Sequence, residues 1–289
     1  EISDRFTLET QARIDWYSGT ELDWSGRLSG LYALDAGKRH VLRLSAAKAF
    51  RAPQISLREI RTNRVPLPSP PLPPGLFGVE LRRGEDFENE ETYSVEGGYF
   101  GRLSEEVTLR ADFYQQWYTD LVGARVFDDP LGLGRTVAAL ENQGDATAHG
   151  IEIELAYARE GLRVSGWYAY NDFDLSEGPS QSVRAFLPAR HKVGATARWR
   201  LDKRWTLIGN YRWSDTTQVD GVGNEEVGPN HRLDLAAAVN VMDGKGEIEF
   251  GVSDLLNRTE DAVRTIGTTG GAEFETPGRT LFVRFQIRF

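Results

Sequence analysis

Apolar and polar residues alternate with a period of two along most of this chain. In the segment 5–17 the even positions, from Phe6 to Trp16, are mostly apolar, whereas the odd positions carry Thr, Glu, Gln, Arg and Asp. Successive side chains of a β-strand point to opposite faces of its sheet. The segment therefore predicts a strand with one uncharged, apolar face and one strongly polar face. The same division recurs down to the final segment, 279–289.

About twelve strands follow from this pattern, and each is close to the roughly 9–11 residues that a tilted membrane-spanning strand requires. They are predicted at 5–17, 22–34, 40–50, 91–101, 106–120, 147–158, 162–173, 190–201, 204–214, 231–242, 247–257 and 279–289. No segment with a helical period competes with them. We therefore predict an all-β fold, an antiparallel up-and-down transmembrane β-barrel.

The connections between these strands alternate in length. Short ones are predicted at 35–39, 101–105, 158–161, 202–203 and 243–246, and long ones at 51–90, 121–146, 174–189, 215–230 and 258–278. The first outer connection, 18–21, is short and breaks the alternation. All 12 prolines fall in the long connections, as expected because proline cannot donate to a β-ladder. Short periplasmic turns and long extracellular loops are typical of outer-membrane barrels. In a soluble sandwich or soluble barrel the connections need not alternate in length.

Aromatic residues are predicted near both ends of the strands. The outer group is Trp16, Trp24, Trp117, Trp213 and the segment 167–170, and the inner group is Tyr99, Tyr157, Trp199 and Trp205. Two aromatic belts, one at each membrane interface, are typical of a transmembrane barrel.

Composition adds limits to this picture. Mean hydropathy is -0.44, which alone would suggest a soluble protein, but alternating strands average out in such an index. No run of about 18 apolar residues predicts a transmembrane helix. The net charge of -9 argues against a nucleic-acid partner. Because the chain has no cysteine, disulfides, thiolate metal sites and a cysteine nucleophile are excluded.

Neither an enzyme nor a resident cofactor is predicted. The four histidines, His40, His149, His191 and His231, fall near the ends of different strands without metal-ligand spacing. No G-x-S-x-G motif is present to indicate a hydrolase. Glu152 and Glu154 lie two apart on one strand face, where they could perform acid–base chemistry or line a polar lumen wall, and we favour the wall.

Several segments resemble one family, the TonB-dependent outer-membrane receptors. At the end of the chain, Pro277-Gly278-Arg279 precedes a strand of alternate apolar residues that ends in Phe289, and this resembles the closing signature of the family. Further landmarks resemble its motifs in the family's order: AFRAP at 49–53, NEETYSVEGGY at 89–99, NQGDATAHGIEIE at 142–154, PARHK at 188–192 and GVSDLLN at 251–257. Asp254 and Ala189 depart from the family pattern.

The resemblance implies a larger barrel than this chain contains. Large transporters of this kind have 22 strands and a plugged lumen. About twelve strands therefore imply that residues 1–289 form the C-terminal part of such a barrel, with the plug domain, the TonB-contacting segment and the first strands outside this chain. The alternative is a 12-stranded barrel that closes by itself. Pairing between the first and the last strand would distinguish the two.

A function follows from the same resemblance. It implies a receptor in the bacterial outer membrane that takes up a scarce extracellular ligand, such as a ferric siderophore, with energy delivered through TonB. The implied partners are TonB, the plug domain, outer-membrane lipid, the small ligand and the barrel-assembly machinery, which would read Phe289 with Phe285 and Ile287. A passive diffusion channel and an adhesin whose long loops bind a partner remain as alternatives.

Ligand-binding residues are the least determined part of the sequence. Arg125, Tyr170, Arg212 and Trp213 are candidates at the barrel mouth, although most of them also suit an interfacial belt. The longest loop, 51–90, contains a proline-rich stretch at 66–75 that favours a stiff arm. It would act either as a ligand-binding arm or as an ordinary surface loop.

Overall fold

A computed structural model describes residues 2–17, 20–52, 79–82, 88–128, 136–175, 188–219, 225–257, 261–262, 274–275 and 278–287. In chain order its strands are β1 (Phe6–Tyr17), β2 (Thr20–Ala33), β3 (His40–Arg51), β4 (Val79–Arg82), β5 (Glu90–Arg102), β6 (Val107–Asp128), β7 (Thr136–Arg159), β8 (Leu162–Leu175), β9 (His191–Arg200), β10 (Trp205–Ser214), β11 (Thr217–Val219), β12 (Glu225–Val227), β13 (Asn230–Val241), β14 (Gly246–Ser253), β15 (Asp261–Ala262), β16 (Phe274–Glu275) and β17 (Thr280–Ile287). A single 3₁₀ turn, Met242–Gly244, precedes β14.

One antiparallel sheet dominates the fold. Its strands follow the order β1-β2-β3-β5-β6-β7-β8-β9-β10-β13-β14-β17, and β4 adds to β7 in parallel. Apart from β4, each strand of this sheet is antiparallel to the strands that precede and follow it in that order, so the predicted up-and-down, all-β class is confirmed. Two further small sheets, β11-β12 and β15-β16, lie within predicted long connections. None of the described segments forms a helix long and apolar enough to cross a membrane.

All twelve predicted strands are present, and three boundaries differ clearly from the prediction, namely the end of β6, the start of β7 and the end of β14. We expected a loop at 121–146, but β6 and β7 continue as a ladder up to the pair Asp128↔Thr136. The register shifts between Tyr118 and Leu121, and Asp120 there has a φ of 59°. A bulge of this kind reverses the side-chain alternation, which made the strand seem to end. Near β14 the prediction was too long, because the chain leaves the sheet after Ser253.

The register separates the side chains into an apolar face and a polar face. Tyr32, Leu42, Tyr99, Ala111, Ile153, Tyr168 and Val193 form one continuous row of opposed residues across seven strands of the apolar face. Along this face large side chains are exposed, among them Ile14 at 71%, Leu281 at 79% and Val283 at 76%. A soluble sandwich or soluble barrel would bury such a face. Its exposure here is the arrangement expected for contact with lipid.

The outer and inner strand ends are those next to the predicted long and short connections, respectively. On the apolar face, Trp16, Trp24 and Trp213 lie near outer ends, and Trp199 and Trp205 lie near inner ends. This distribution has the form of the two predicted aromatic belts.

Tight turns join the strands at their inner ends. The Asp35 carboxylate accepts hydrogen bonds from the backbone N–H groups of His40 at 2.9 Å and Gly37 at 3.1 Å. Asp202 accepts from the N–H groups of Arg204 and Trp205, each at 2.7 Å. These hydrogen bonds stabilise the charged carboxylates and lower their pKa, chiefly through His40 for Asp35 and through Trp205 for Asp202.

The sheet is open. Among the described residues β1 pairs only with β2, and β17 pairs only with β14. Both strands therefore present a free edge, and the described strands form a partial barrel, as the family resemblance implied. The end of the chain at Phe289 lies outside the described residues.

Candidate functional site: the polar wall

The polar face carries a chain of ion pairs across β2, β3, β5 and β6. Arg27 lies 3.1 Å from Glu96, and Arg43 lies 3.4 Å from Glu96 and 3.0 Å from Asp112. Arg110 closes the chain at 2.6 Å from Asp112. Cations and carboxylates thus alternate along this wall because residues of equal parity on adjacent strands face the same side. The network orients the charged groups without burying them fully.

A hollow of about 580 Å³ adjoins this network. Its lining combines aromatic and polar side chains, including Tyr114, Tyr118, Glu152, Asn171 and Phe173. The ring centroids of Tyr118 and Phe173 are 5.7 Å apart. The rings of Tyr118 and Phe173 offer apolar surface, and Tyr114, Glu152 and Asn171 offer hydrogen-bonding groups. The hollow can therefore contact both apolar and polar parts of a small molecule. The polar face therefore holds the candidate binding surface.

Gly150 has a specific part in this hollow. The Tyr114 hydroxyl donates to the Asn171 amide oxygen at 2.9 Å, which means that its ring reaches from β6 across β7 to β8. Gly150 lies directly opposite Tyr114 on β7, and a side chain at this position would overlap the Tyr114 ring and hydroxyl. The glycine of the segment 142–154 thus permits the close approach of an aromatic ring.

The predicted mouth residues do not come together. Tyr170 and Trp213 lie on the apolar face, with ring centroids 5.1 Å from His191 and 6.4 Å from His231, respectively. Arg212 lies on the polar face, 3.9 Å from Asp234. Arg125 contributes its backbone to the β6–β7 ladder opposite Ala139, and its side chain lies outside the described residues.

Three histidine–tyrosine pairs on the apolar face were not predicted from the sequence. His40 and Tyr99, His191 and Tyr168, and His231 and Tyr211 are joined by hydrogen bonds of 2.8, 2.9 and 2.9 Å, respectively. In each pair the tyrosine is the diagonal neighbour of the histidine on the adjacent strand. These pairs depend on the register between adjacent strands, and the period-two pattern of the sequence does not determine that register. Among the described residues no group of three His, Asp or Glu side chains is placed to hold a metal ion.

Comparison with protein families explains this architecture. A family profile described as "TonB dependent receptor-like, beta-barrel" matches residues 1–255. The chain belongs to this family. Its members are outer-membrane β-barrels of Gram-negative bacteria, so the resemblance of the sequence motifs is confirmed. Among curated protein sequences, none matches the chain significantly.

Solved structures show the same fold at low sequence identity. The ferric enterobactin receptor PfeA of Pseudomonas aeruginosa superposes with a TM-score of 0.75 at 16% identity, over 99% of this chain and 43% of PfeA. The siderophore receptor PirA of Acinetobacter baumannii gives 0.73 at 15% identity, over 100% and 44%. The copper transporter OprC gives 0.72 at 16% identity, over 99% and 47%. The chain thus spans less than half the length of each of these proteins. Their names describe two receptors and a transporter.

Proposed function

We propose that this chain forms part of the wall of a receptor for active, TonB-dependent uptake of a scarce extracellular ligand of the ferric siderophore class. The single observation that supports this most is the open sheet, in which β1 and β17 both keep free edges. A self-closed diffusion channel requires these edges to pair, because an unpaired backbone in lipid is costly. Further strands of the same barrel would satisfy them.

The polar wall suits a lumen filled by a plug domain. Arginine and carboxylate groups project from it at regular intervals, and Glu152 and Glu154 remain exposed on β7 without an ion-pair partner among the described residues. Such groups would pair with polar groups of the plug. Each contact would be modest in energy, since ion pairs reached by water contribute about 0–1 kcal/mol. Many weak contacts suit a domain that must be displaced during transport.

Ligand would bind at the outer half of the polar wall. Tyr118, beside the bulge of β6, and Phe173, near the outer end of β8, line the 580 Å³ hollow, so we propose them as contacts to the ligand. Arg212, on the same face, remains a candidate at the mouth, as does Arg125. Because Tyr170 and Trp213 point to the apolar side, we propose for them the interfacial belt and contact with outer-membrane lipid.

Assembly into the membrane would depend on the last strand. Phe285 and Ile287 are 53% and 39% exposed on the apolar face of β17, and Phe289 continues their spacing in the sequence. We propose that these three residues are the signal for the barrel-assembly machinery.

Uptake of radioactive iron by cells that express the whole protein tests the function. We expect accumulation of iron from at least one ferric siderophore in a panel, and its loss when TonB is deleted or a protonophore is added. A passive channel would instead admit small solutes in TonB-deleted cells, and that result would overturn the proposal. Copper uptake, measured in the same cells, would keep the TonB-dependent mechanism but replace the ligand class.

The position of the ligand is tested with the substitution Tyr118→Ala. Loss of a contacting aromatic ring should weaken ligand binding about tenfold, which corresponds to about 1.4 kcal/mol. Trp117→Ala is the matched control, because Trp117 is the adjacent residue on the apolar face. If the two variants bound the ligand with equal affinity, the ligand site would not lie in this hollow.

A further inference from the structure

Three arginines near the inner end of the polar wall lack acidic partners of the kind that Arg27, Arg43 and Arg110 have. Arg163 on β8 and Arg198 and Arg200 on β9 form no ion pair in the described part of the chain. On β2, β3 and β6, by contrast, Arg27, Arg43 and Arg110 all contact carboxylates. We name these three residues the inner arginine cluster.

Their arrangement is unfavourable by itself. Arg163 lies directly opposite Arg198 in the β8–β9 ladder, and like charges at directly opposed positions destabilise a strand pair. No acidic residue occupies a polar-face position on β8 or β9 within Leu162–Phe173 or His191–Arg200. The pairing of these strands thus concentrates positive charge that nothing on the two strands neutralises.

The cluster lines a second hollow, of about 600 Å³. Its lining also includes Thr206, Asn240 and Glu247 of the neighbouring strands, Glu160 of the β7–β8 turn and a further cation, Arg159, at the end of β7. Neither Glu160 nor Glu247 forms an ion pair with the arginines among the described residues. The hollow therefore combines the guanidinium groups of the inner arginine cluster, and that of Arg159, with room for an anionic group.

We propose that the inner arginine cluster is the docking site for an acidic segment of the polypeptide that fills the lumen. This inference rests on the proposed function, because it requires a domain inside the barrel. Guanidinium groups bind carboxylates through paired hydrogen bonds, so aspartate or glutamate side chains fit the three arginines. A bound acidic segment would also remove the repulsion between Arg163 and Arg198.

Position along the strand favours a permanent partner over ligand in transit. Arg163 and the proposed ligand contact Phe173 lie ten residues apart on β8, which corresponds to about 33 Å along an extended strand. A ligand at the outer hollow therefore does not reach the cluster. An occupant that visited only during transport would leave the arginines facing one another for most of the time.

Zero-length crosslinking tests the proposal in the whole protein in outer membranes. Carbodiimide joins carboxylates to amines and does not react with guanidinium, so Arg163→Lys and Arg198→Lys each place a reactive amine in the cluster while keeping its charge. We expect each variant to form an amide with an aspartate or glutamate of the lumen-filling domain, located by mass spectrometry. Arg43→Lys is the matched control and should crosslink within the wall, to Glu96 or Asp112.

A photoreactive phenylalanine derivative in place of Phe100 reports independently whether a domain fills the lumen, because Phe100 is 47% exposed on the polar face. If it crosslinks to such a domain while the lysines at 163 and 198 react only with Glu160 or Glu247, or with nothing, the docking proposal is overturned and the proposed function stands. If neither probe reaches a lumen-filling domain, the proposed function fails, and the docking proposal fails with it.

Discussion

At the scale of single residues, the polar wall depends on where small side chains permit large ones to cross a strand. Tyr114 reaches Asn171 over the backbone of Gly150. Trp167 is placed in the same way over Gly194, its direct partner on β9. These side chains pack against the adjacent strands on the polar face of the sheet. The glycines therefore serve packing on the polar wall, where a β-carbon would displace a ring.

Gly150→Val should destabilise the folded protein by about 1–3 kcal/mol, because the new side chain overlaps Tyr114 and forces the ring out of its contact. Equilibrium unfolding in lipid vesicles measures this change. Gly97→Ala is the control, since a β-carbon there meets no atom within 4 Å and should alter the free energy of unfolding far less. Equal losses for both variants would contradict the packing role of Gly150.

The assignment of faces is tested on two neighbouring strands at one height. Leu235, on the apolar face, pairs with Gly209, and the adjacent Asn210, on the polar face, pairs with Asp234. Leu235→Arg should reduce the free energy of unfolding by about 2–4 kcal/mol, because a charge near the bilayer midplane is costly. Asn210→Arg should change it by about 0.5 kcal/mol or less, since the new guanidinium meets Asp234. A larger loss of unfolding free energy for Asn210→Arg than for Leu235→Arg would show that the two faces are assigned the wrong way round.

At the scale of elements, the inner turns and the outer extensions behave differently. The turns at Asp35 and Asp202 are stabilised by carboxylates that accept backbone hydrogen bonds. At the outer end, β6 and β7 continue past a bulge as an antiparallel ladder, to which β4 adds in parallel. The strands thus end abruptly on one side of the sheet and extend beyond it on the other.

Asp202→Ala should destabilise the β9–β10 turn at neutral pH, because two backbone N–H groups lose their acceptor. The pKa of Asp202 is lowered in the folded protein, so its stabilising effect is complete above about pH 4, the range of an unfolded aspartate. It disappears as the pH falls through the lowered folded value. Unfolding at pH 7 and at pH 3 measures the difference, with Lys203→Ala in the same turn as control. A larger difference in unfolding free energy between the unsubstituted protein and Asp202→Ala at pH 3 than at pH 7 would contradict this reasoning.

At the scale of the whole molecule, the short turns lie at one end of the sheet and the predicted long connections begin at the other. The family match places such sheets in outer membranes. With the long connections outside the cell, as we propose, the β6–β7 extension and the connection 51–90 are expected to be accessible from the medium. The short turns, including 243–246, would face the periplasm.

Protease added to intact cells should therefore cut within 51–90 before it cuts within 243–246. Lysed cells provide the control, since both segments then become accessible to the enzyme. Peptide mapping over time identifies the order of cleavage. Earlier cutting at 243–246 in intact cells would invert the proposed orientation.

Much of this architecture was predictable because a single physical rule governs it. A strand between lipid and a polar interior must alternate, and the period of two located all twelve strands and the face of nearly every residue in them. Proline, excluded from central ladders, located the long connections. The motifs around Gly150 and Pro277 added the family, which composition and periodicity did not indicate.

Register and closure were decided only by the tertiary structure. Alternation says which residues share a face, but not which of them lie opposite one another. It therefore left undetermined that His191 meets Tyr168, that Arg43 meets Asp112 and that Arg163 faces Arg198. A bulge at Tyr118 hid the extension of β6 because it inverted the alternation. Whether β1 meets β17 depends on backbone pairing between the two ends of the sheet, and the side-chain pattern within each strand is the same for an open and a closed barrel.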